Sequence, residues 1–456
     1  MPDCSKPNIL LIMTDQQSAT MMSGAGNPYV RTPNMDFLAR KGVRFLNTYC
    51  ANPVCLPSRF SMFTGLYPSD IGLKSNNYMN EVEALPDYIL QNGLGKLMNQ
   101  AGYNAVYGGK EHLPHMRATD LGFENISTDE RDNLAERCAE YIREYNDSKP
   151  FFMVSSFINP HDICAMILED FAELSGKEEL IRACEHMVTE RACLHEAMAL
   201  PKGMNKEVFF ECVCPPLPDN YMPAPDEAEG VDIYQSQEVY LKLARQNYTD
   251  EQWRMHRWAY LKLTEMVDAQ IGKVIDALID SGKFDDTVII FTSDHGDMDA
   301  SHKCEQKDFL FEECCHVPLI IKGAGVDNGH SVDNRIVNNG TDCIPTILEY
   351  AGCGLPEYLS GISLKTAVEN AGSSSRDESP RKQTIVESQC GLMAVDGEYK
   401  YARYLRGARA EQFFDLKENP GEMYNQINDP QYKAKLARLK AAVEEHANAR
   451  PGIWMR

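Results

Sequence analysis

The sequence predicts an α/β fold, a large mixed and mostly parallel sheet flanked by helices, with a smaller C-terminal α+β subdomain. Three apolar runs predict it: "NILLIM" (8–13) ends in Thr14, Asp15 and Gln16; "FFMVSSFI" (151–158) ends in Asn159, Pro160 and His161; "TVIIFTS" (287–293) ends in Asp294 and His295. Runs that are apolar on both faces are the pattern of buried parallel strands, whose polar C-terminal ends gather at one edge of the sheet. Helical periods lie between them, the alternation of a sheet covered on both sides.

The remaining elements follow in chain order. "LGKLMNQAGY" (94–103) reads as a helix leading to the short strand "AVYGG" (105–109). From Ile163 to Asp250 the pattern changes: "GKEELIRACEHMVTERACLHEAMAL" (176–200) reads as one charged, cysteine-bearing helix and "CPPLPDNYMPAPDEAEG" (214–230) as a loop, so residues 163–250 are expected to form an insertion over the sheet. "WAYLKLTEMVDAQIGKVIDALIDSG" (258–282) is a long amphipathic helix closed by Gly282. The Ser-rich, charged "NAGSSSRDESPRK" (370–382) is the best linker or surface-loop candidate. Beyond it, "QTIVESQ", "GLMAVDGEYKYARYL" and "EQFFDL" read as short antiparallel strands, and residues 430–448 as a terminal helix. The expected organisation is a main α/β body over 1–375 and a subdomain over 383–456.

Composition narrows the function. A chain of 456 residues with 43% hydrophobic content buries a sizeable core. A formal charge of -22 argues against a nucleic-acid partner, which needs clustered Lys and Arg to displace counterions, and an anionic substrate would need a local cationic pocket working against the global field. The fifteen cysteines include no matched pair of CxxC knuckles, so no structural zinc site is expected. The N-terminus "MPDCSKPNILLIMTDQQ" lacks the basic region and small-residue cleavage site of a signal peptide, although a chain whose leader had been removed would read the same. No uninterrupted apolar stretch is long enough to span a bilayer. The expectation is a soluble, cytoplasmic protein with mostly free thiols and no membrane partner.

Asp15, Asp294 and His295 sit at strand ends, where a hard cation collects oxygen ligands plus one imidazole. An Asp after a strand is more often a helix cap or turn residue. "SDHGDMD" (293–299) is more telling, because repelling carboxylates packed so closely favour a cation; within it Asp297 and Asp299 read as solvated. The cationic and imidazole groups are Arg59 in "CLPSR", Lys110 and His112 in "GGKEHLP", His161 in "NPHD" and Lys307 in "SHKCEQKDFLFEE". Each alone reads as a solvated lysine, a core histidine or a surface ion pair. Taken with the carboxylates, they point to a metal-plus-cation clamp for a tetrahedral oxyanion.

"CLPSR" followed by "TGLYP", with "NILLIMTDQ" upstream and "TSDHGD", Lys307 and "VPLIIKG" downstream, resembles the type I sulfatases of the alkaline phosphatase superfamily, from Asn8 to Gly323. The C-terminal "GEYKYARY" and "EQFFDLKENPGEMYNQ" resemble that family's small closing subdomain. The resemblance implies an alkaline phosphatase-like fold and oxidation of Cys55 to Cα-formylglycine by a formylglycine-generating or radical sulfatase-maturating enzyme. One hydroxyl of the hydrated aldehyde would attack sulfur, and the second would let the bound sulfate depart. Pro57 and Arg59 would belong to the maturation signal, with Arg59 also steadying the hydrate and the metal-site carboxylates. Asp15, Gln16, Asp294 and His295 resemble ligands of Ca2+, with Mg2+ or Mn2+ as alternatives. The family more often carries two consecutive aspartates after the first strand, so Gln16 removes one negative charge while keeping an oxygen donor. Lys110 resembles the lysine bridging nucleophile and sulfate, His112 the partner of the hydrate and base for its collapse, and His161 with Lys307 the pair facing the bridging oxygen. His302 is placed either against substrate or in a structural role.

The implied activity is hydrolysis of a sulfate ester, on a small molecule or an oligosaccharide, with a sulfated carbohydrate as first choice and an aryl or steroid sulfate as alternative. Its chemical rival is a phosphonate monoester or phosphodiester hydrolase of the same superfamily, whose metal motif can carry Asp followed by Gln. A non-catalytic binding protein is the reading from another class, and the intact Cys55, Arg59, Lys110, His112, His161 and Lys307 count against it. The leaving group would be read by the 163–250 insertion, by "QNYTDEQWRMHRW" (246–258) and by the C-terminal subdomain, with Trp253, His256 and Arg403 as candidate contacts beside His195, Arg245 and Arg254. Assembly into a homo-oligomer stays open.

Overall fold

Successive side chains of a strand point to opposite faces, and in the first strand both sets are apolar. Ile9, Leu11 and Met13 enter one core with Leu56, Phe60 and Ile347, while Leu10 and Ile12 enter another with Leu134, Val267 and Ile271. The result is a helix–sheet–helix sandwich. The computed structural model describes residues 6–326, 329–371 and 381–454.

The main sheet contains β1 (Asn8–Asp15), β2 (Val43–Tyr49), β3 (Asn104–Gly109), β4 (Glu124–Ser127), β5 (Phe151–Pro160), β6 (Thr287–Ser293), β7 (Leu319–Lys322) and β8 (Ser331–Asn338). Its order is β4-β3-β5-β1-β6-β7-β2-β8. β7 runs antiparallel to both neighbours and every other pairing is parallel, so the sheet is mixed and mostly parallel. The three runs singled out in the sequence are the adjacent strands β5, β1 and β6, with Asp15 level with Pro160 and Thr14 with Ser293. Their polar ends therefore share one edge.

A second, antiparallel sheet is built from β9 (Thr384–Ser388), β10 (Gly391–Val395), β11 (Tyr399–Tyr404) and β12 (Glu411–Asp415), in the order β12-β11-β10-β9. Leu392, Ala394 and Phe413 on one face pack with Leu439 and Val443 of the terminal helix Lys433–Asn448, and Val386, Met393 and Val395 on the other join a core of the main body. The Lys400 ammonium, fully buried, bridges Glu312 at 3.2 Å and Glu422 at 2.6 Å across that junction. Most of the Ser-rich 370–382 stretch lies outside the described residues.

Two helical expectations need correction. The segment 176–200 is two helices, Glu178–His186 and Val188–Met198, because Met187 leaves helical geometry with ψ of 51°. The long helix begins at Asp250, eight residues before the expected start, because Thr249 and Gln252 form a reciprocal capping box. The 246–258 stretch is therefore mostly the first turns of this helix, and its inward face puts Trp253 (0% exposed) and His256 (1% exposed) inside the body, with no surface to offer a substrate. Among the described residues no helix is long and apolar enough to cross a membrane, and the described cysteines are free thiols.

Candidate active site

Cys55 is the first residue of the helix Cys55–Thr64, every residue of which is buried. Unpaired backbone N–H groups at a helix start favour a negative charge there. Pro57, in the first turn, has no N–H to leave unsatisfied. Ser58 Oγ donates to the Asp294 carbonyl at 2.6 Å, fastening this helix to the end of β6. Arg59, one turn beyond Cys55, returns to the same side. Its Nε donates to Asp294 Oδ2 at 2.8 Å, its Nη2 to Asp15 Oδ2 at 3.0 Å, and its Nη1 to the Lys110 carbonyl at 2.9 Å and Ser156 Oγ at 2.8 Å. A fully buried guanidinium thus ties together the ends of β1, β3, β5 and β6.

Lys110 follows the glycine pair that closes β3. Gly109 has φ of +96°, and a Cβ there would lie 2.1 Å from the Ser156 carbonyl oxygen, so only glycine lets the chain turn so close to β5. The turn sends Lys110 Nζ to 2.7 Å from Asp15 Oδ2. Gly296 is just as constrained: a Cβ would lie 1.9 Å from the Glu313 carbonyl, which explains the glycine inside "SDHGDMD".

Asp15, Cys55, Asp294 and His295 are buried, and one donor atom from each lies within 4.8 Å of all the others. His295 Nε2 is 3.1 Å from Cys55 Sγ, and Asp15 Oδ1 is 3.5 Å from it. The sulfur marks the position that a formylglycine hydroxyl would take. Two carboxylates forced together are mutually repulsive: burial and Asp15 push Asp294 up to about 6. Burial and Cys55 also press upward on Asp15, but Lys110, His161 and Arg59 hold it below the usual carboxylate range. Hard oxygens, one imidazole and an acid–acid repulsion that Arg59 and Lys110 relieve only in part, leaving Asp294 raised, fit a divalent cation of the calcium type, held by Asp15, Asp294, His295 and the group at position 55.

The opposite side of Cys55 is cationic. Lys307 Nζ lies 2.9 Å from its sulfur, and His112 and His161 are near enough to act on it electrostatically. Burial alone would raise the thiol, but Lys307, Lys110 and His295 outweigh it and hold Cys55 well below its ordinary range. Burial, Lys110 and Lys307 push His161 down to about 4, so in the resting pocket it is a neutral imidazole. The pocket is built to stabilise negative charge at position 55 and beside it.

Gln16 departs from the expected ligand set. It adopts φ of +70°, its amide nitrogen donates to Asp297 Oδ2 at 2.7 Å, and its carbonyl oxygen takes the Lys307 ammonium at 2.6 Å. The carboxamide is thus engaged by Lys307, and Gln16 meets the acidic cluster through its backbone N–H, 3.0 Å from Asp294 Oδ1. Asp297 and Asp299 are not solvated but 0% and 7% exposed, held by Gln16 and by Arg257 respectively. His302 is wholly buried and stacked on Phe311 at 4.2 Å between ring centres, a packing role away from substrate. Arg403 lies on β11 beside a groove it shares with Leu405, Glu444 and Trp454, apart from Cys55. His195, Arg245 and Arg254 are engaged by Glu169, by Glu227 and by backbone carbonyls.

Sequence reasoning missed the supports of this site. Ser156 and Asp297 hold Arg59 and Gln16. Asp308 fixes the loop that carries Lys307: its N–H donates to the Pro53 carbonyl at 2.9 Å, and its carboxylate accepts from Ser388 Oγ at 2.8 Å and from Gln389. The serine inside "CLPSR" was the one available signal, since its hydroxyl anchors the helix.

Paired carboxylates, an imidazole and a lysine-flanked nucleophile at the open edge of this sheet define a metal-assisted hydrolase of anionic esters on the alkaline phosphatase fold. The sulfatase family model matches residues 7–353, and the chain belongs to that family as a sulfuric ester hydrolase. A second model, N-sulphoglucosamine sulphohydrolase, C-terminal, matches residues 300–449. The chain is 26% identical to a Delta 4,5-hexuronate-2-O-sulfatase of Bacteroides thetaiotaomicron, covering 97% of this chain and 89% of the relative. It is also 26% identical to an N-acetylglucosamine-6-O-sulfatase of the same organism, covering 97% and 86%. The phosphonate monoester hydrolase of Agrobacterium radiobacter shares the fold, with a TM-score of 0.69 at 20% identity and coverage of 98% and 96%.

Proposed function

We propose that this sulfatase acts on a sulfated carbohydrate, with formylglycine at position 55 made by a dedicated maturating enzyme and with Ca2+ held by Asp15, Asp294 and His295. The observation that carries this reading is the convergence on Cys55 of an acidic cluster able to hold a cation on one side and of Lys110, Lys307, His112 and His161 around the rest. When formed, the formylglycine hydrate supplies a hydroxyl nucleophile that a plain thiol does not. The bound cation would supply charge neutralisation for that hydroxyl and for a sulfate oxygen.

The chain's own residues do the rest. Arg59 fixes both carboxylates, so the acidic cluster does not rearrange when charge builds. Lys110 and Lys307 flank position 55 and take the sulfate's non-bridging oxygens. His161 and Lys307 face the side from which the alcohol departs; Lys307 holds a proton there in the resting pocket, and His161, neutral at rest, takes up the acid role once the negative charge of the departing group draws a proton onto it. His112 is placed to withdraw one from position 55. Carbohydrate is placed ahead of aryl or steroid leaving groups because the two sugar sulfatases named above align over 97% of this chain, against 95% for an arylsulfatase of equal identity, and the assay below separates the two.

Aspartate followed by glutamine at 15 and 16, together with the shared fold of a phosphonate monoester hydrolase, favours phosphonate esters as the second reading. Protein coexpressed with a maturating enzyme, its residue 55 verified by peptide mass spectrometry, should turn over 4-nitrophenyl sulfate faster than an aryl phosphonate and should release sulfate from monosulfated sugars. Faster phosphonate turnover would replace the sulfatase reading; an intact thiol at position 55 despite active maturation would remove the mechanism.

A further inference from the structure

A pocket of about 270 Å³ lies where the insertion, the 74–81 loop, the second sheet and the C-terminal residues meet, and Lys74, Glu81, Tyr234, Gln389, Arg406 and Trp454 line it. That volume is near the lower end of small-molecule sites, roughly 300 Å³. Hydrogen bonds tie two of its walls to the residues beside the reacting groups. Asn76, two residues beyond Lys74, accepts the Leu56 N–H at 3.1 Å, next to Cys55. Gln389 donates to the Asp308 carboxylate, next to Lys307.

The pocket's charge is unusual for this chain. Lys74 Nζ contacts only a backbone carbonyl, that of Ile453 at 3.3 Å, and the face of Trp454, and Arg406 is exposed; among the described residues neither is ion-paired with a carboxylate. The carboxylate that does line the pocket, Glu81, is turned to its own loop, accepting from Lys74 N at 2.6 Å and from Ser75 N and Oγ at 3.0 and 2.7 Å. Trp454, 3% exposed, keeps an indole N–H with no acceptor among the described residues. In a protein of net charge -22, two unpaired cations and a spare donor around one cavity form a local anion trap.

We propose that this pocket is a leaving-group subsite that takes a second anionic group, a carboxylate or a further sulfate, on the sugar whose sulfate ester faces Cys55. The proposal rests on the carbohydrate-sulfatase reading and narrows it: a sugar carrying only the scissile sulfate leaves Lys74 and Arg406 uncompensated. Arg406 suits planar, two-pronged recognition of such a group, and Lys74 adds a point charge.

The test compares matured wild type, Lys74→Met and Arg406→Met on a sulfated hexuronate, a disulfated hexosamine, a monosulfated neutral hexosamine and 4-nitrophenyl sulfate. Wild type should prefer a doubly anionic sugar. In the variants, the ratio of kcat/KM for that sugar to kcat/KM for the aryl sulfate should fall about tenfold to a hundredfold, as expected for one charge-assisted hydrogen bond, and mainly through KM. Whichever of the two doubly anionic sugars loses more identifies the second group as carboxylate or sulfate. An equal loss on all four substrates, or a wild-type preference for the neutral sugar, overturns the proposal.

Calorimetry on Cys55→Ala protein with free hexuronate and with an unesterified N-sulfated hexosamine reads the pocket without turnover. Binding of either sugar that weakens in Lys74→Met supports the subsite even if the sulfatase reading fails, and no binding of either sugar refutes it.

Discussion

The Lys307 ammonium lies 2.9 Å from the Cys55 sulfur and 2.6 Å from the Gln16 carbonyl oxygen, so one cation joins the nucleophile position to the residue after the first metal-site aspartate. Replacing Lys307 by Met removes a charge aimed at the place where negative charge develops. The expected cost is about 10²- to 10³-fold in kcat, with little change in melting temperature. A loss confined to KM would mean that Lys307 only captures substrate.

Cys55→Ala should reduce turnover by roughly 10⁴-fold or more and leave the fold intact, because alanine continues the helix and removes only a sulfur whose hydrogen bonds serve the site. Steady-state assay together with circular dichroism checks both halves. Activity close to wild type would remove the mechanism proposed here.

His161→Ala should cost more with an alkyl or sugar sulfate than with 4-nitrophenyl sulfate, since an activated phenol leaves without a proton. A Brønsted series over phenols of rising pKa should steepen in the variant. Parallel slopes would move the acid role to Lys307.

Removal of the metal by a chelator should abolish turnover and lower the melting temperature, and Ca2+ should restore both, because the ion relieves repulsion between Asp15 and Asp294. Recovery with Mg2+ or Mn2+ alone would reassign the metal. Asp294→Asn, which leaves less repulsion to relieve, should show a smaller calcium-dependent shift.

Behind the site, Glu305 (2% exposed) lies 3.3 Å from His256. Burial pushes Glu305 up to about 8, against the pull of His256, whereas burial lowers His256 but Asp299, Glu305 and Asp297 together raise it to about 9. Both groups therefore hold protons in the folded chain that they have already lost in the unfolded one. The cost of ionising Glu305 grows from its unfolded value of 4.5 up to about 8, and the stabilisation from charged His256, complete below 6.5, is lost as pH passes about 9. Stability should fall as pH rises across this window, by several degrees in melting temperature, at roughly 1 °C per kcal/mol for a 456-residue chain. Glu305→Gln should flatten the curve; an unchanged slope would show that the pair does not titrate as a buried unit.

Strands β1, β5 and β6 were legible in the sequence because burial on both faces leaves nearly continuous apolar runs with abrupt polar ends. β2 and β8 were not: β8 reads "SVDNRIVN" and alternates exposed and half-buried positions at its start, so it lacks that signature. The groups around Cys55 were legible because motif order brings them together. Trp253 and His256 were misplaced for a local reason, since the capping box that begins the helix at Asp250 also decides which way they face. Asp297 was misread because a carboxylate's burial depends on partners far along the chain: Gln16 is 281 residues away. The C-terminal sheet's hold on Asp308 was invisible for the same reason.

Cys55 is 1% and Arg59 0% exposed, Pro57 between them is buried, and the loop beside them is locked by Ser388, 80 residues beyond Asp308. An enzyme that must grasp this stretch of backbone finds it only on a chain that has not yet closed. Under the maturation proposed above, chemistry at position 55 would be set against a clock: it would have from the emergence of residue 59 at the ribosome until β9 arrives and the sheet shuts over the loop. Purified, folded protein offered to a maturating enzyme should keep its thiol, while the same chain held partly unfolded in mild denaturant should lose it.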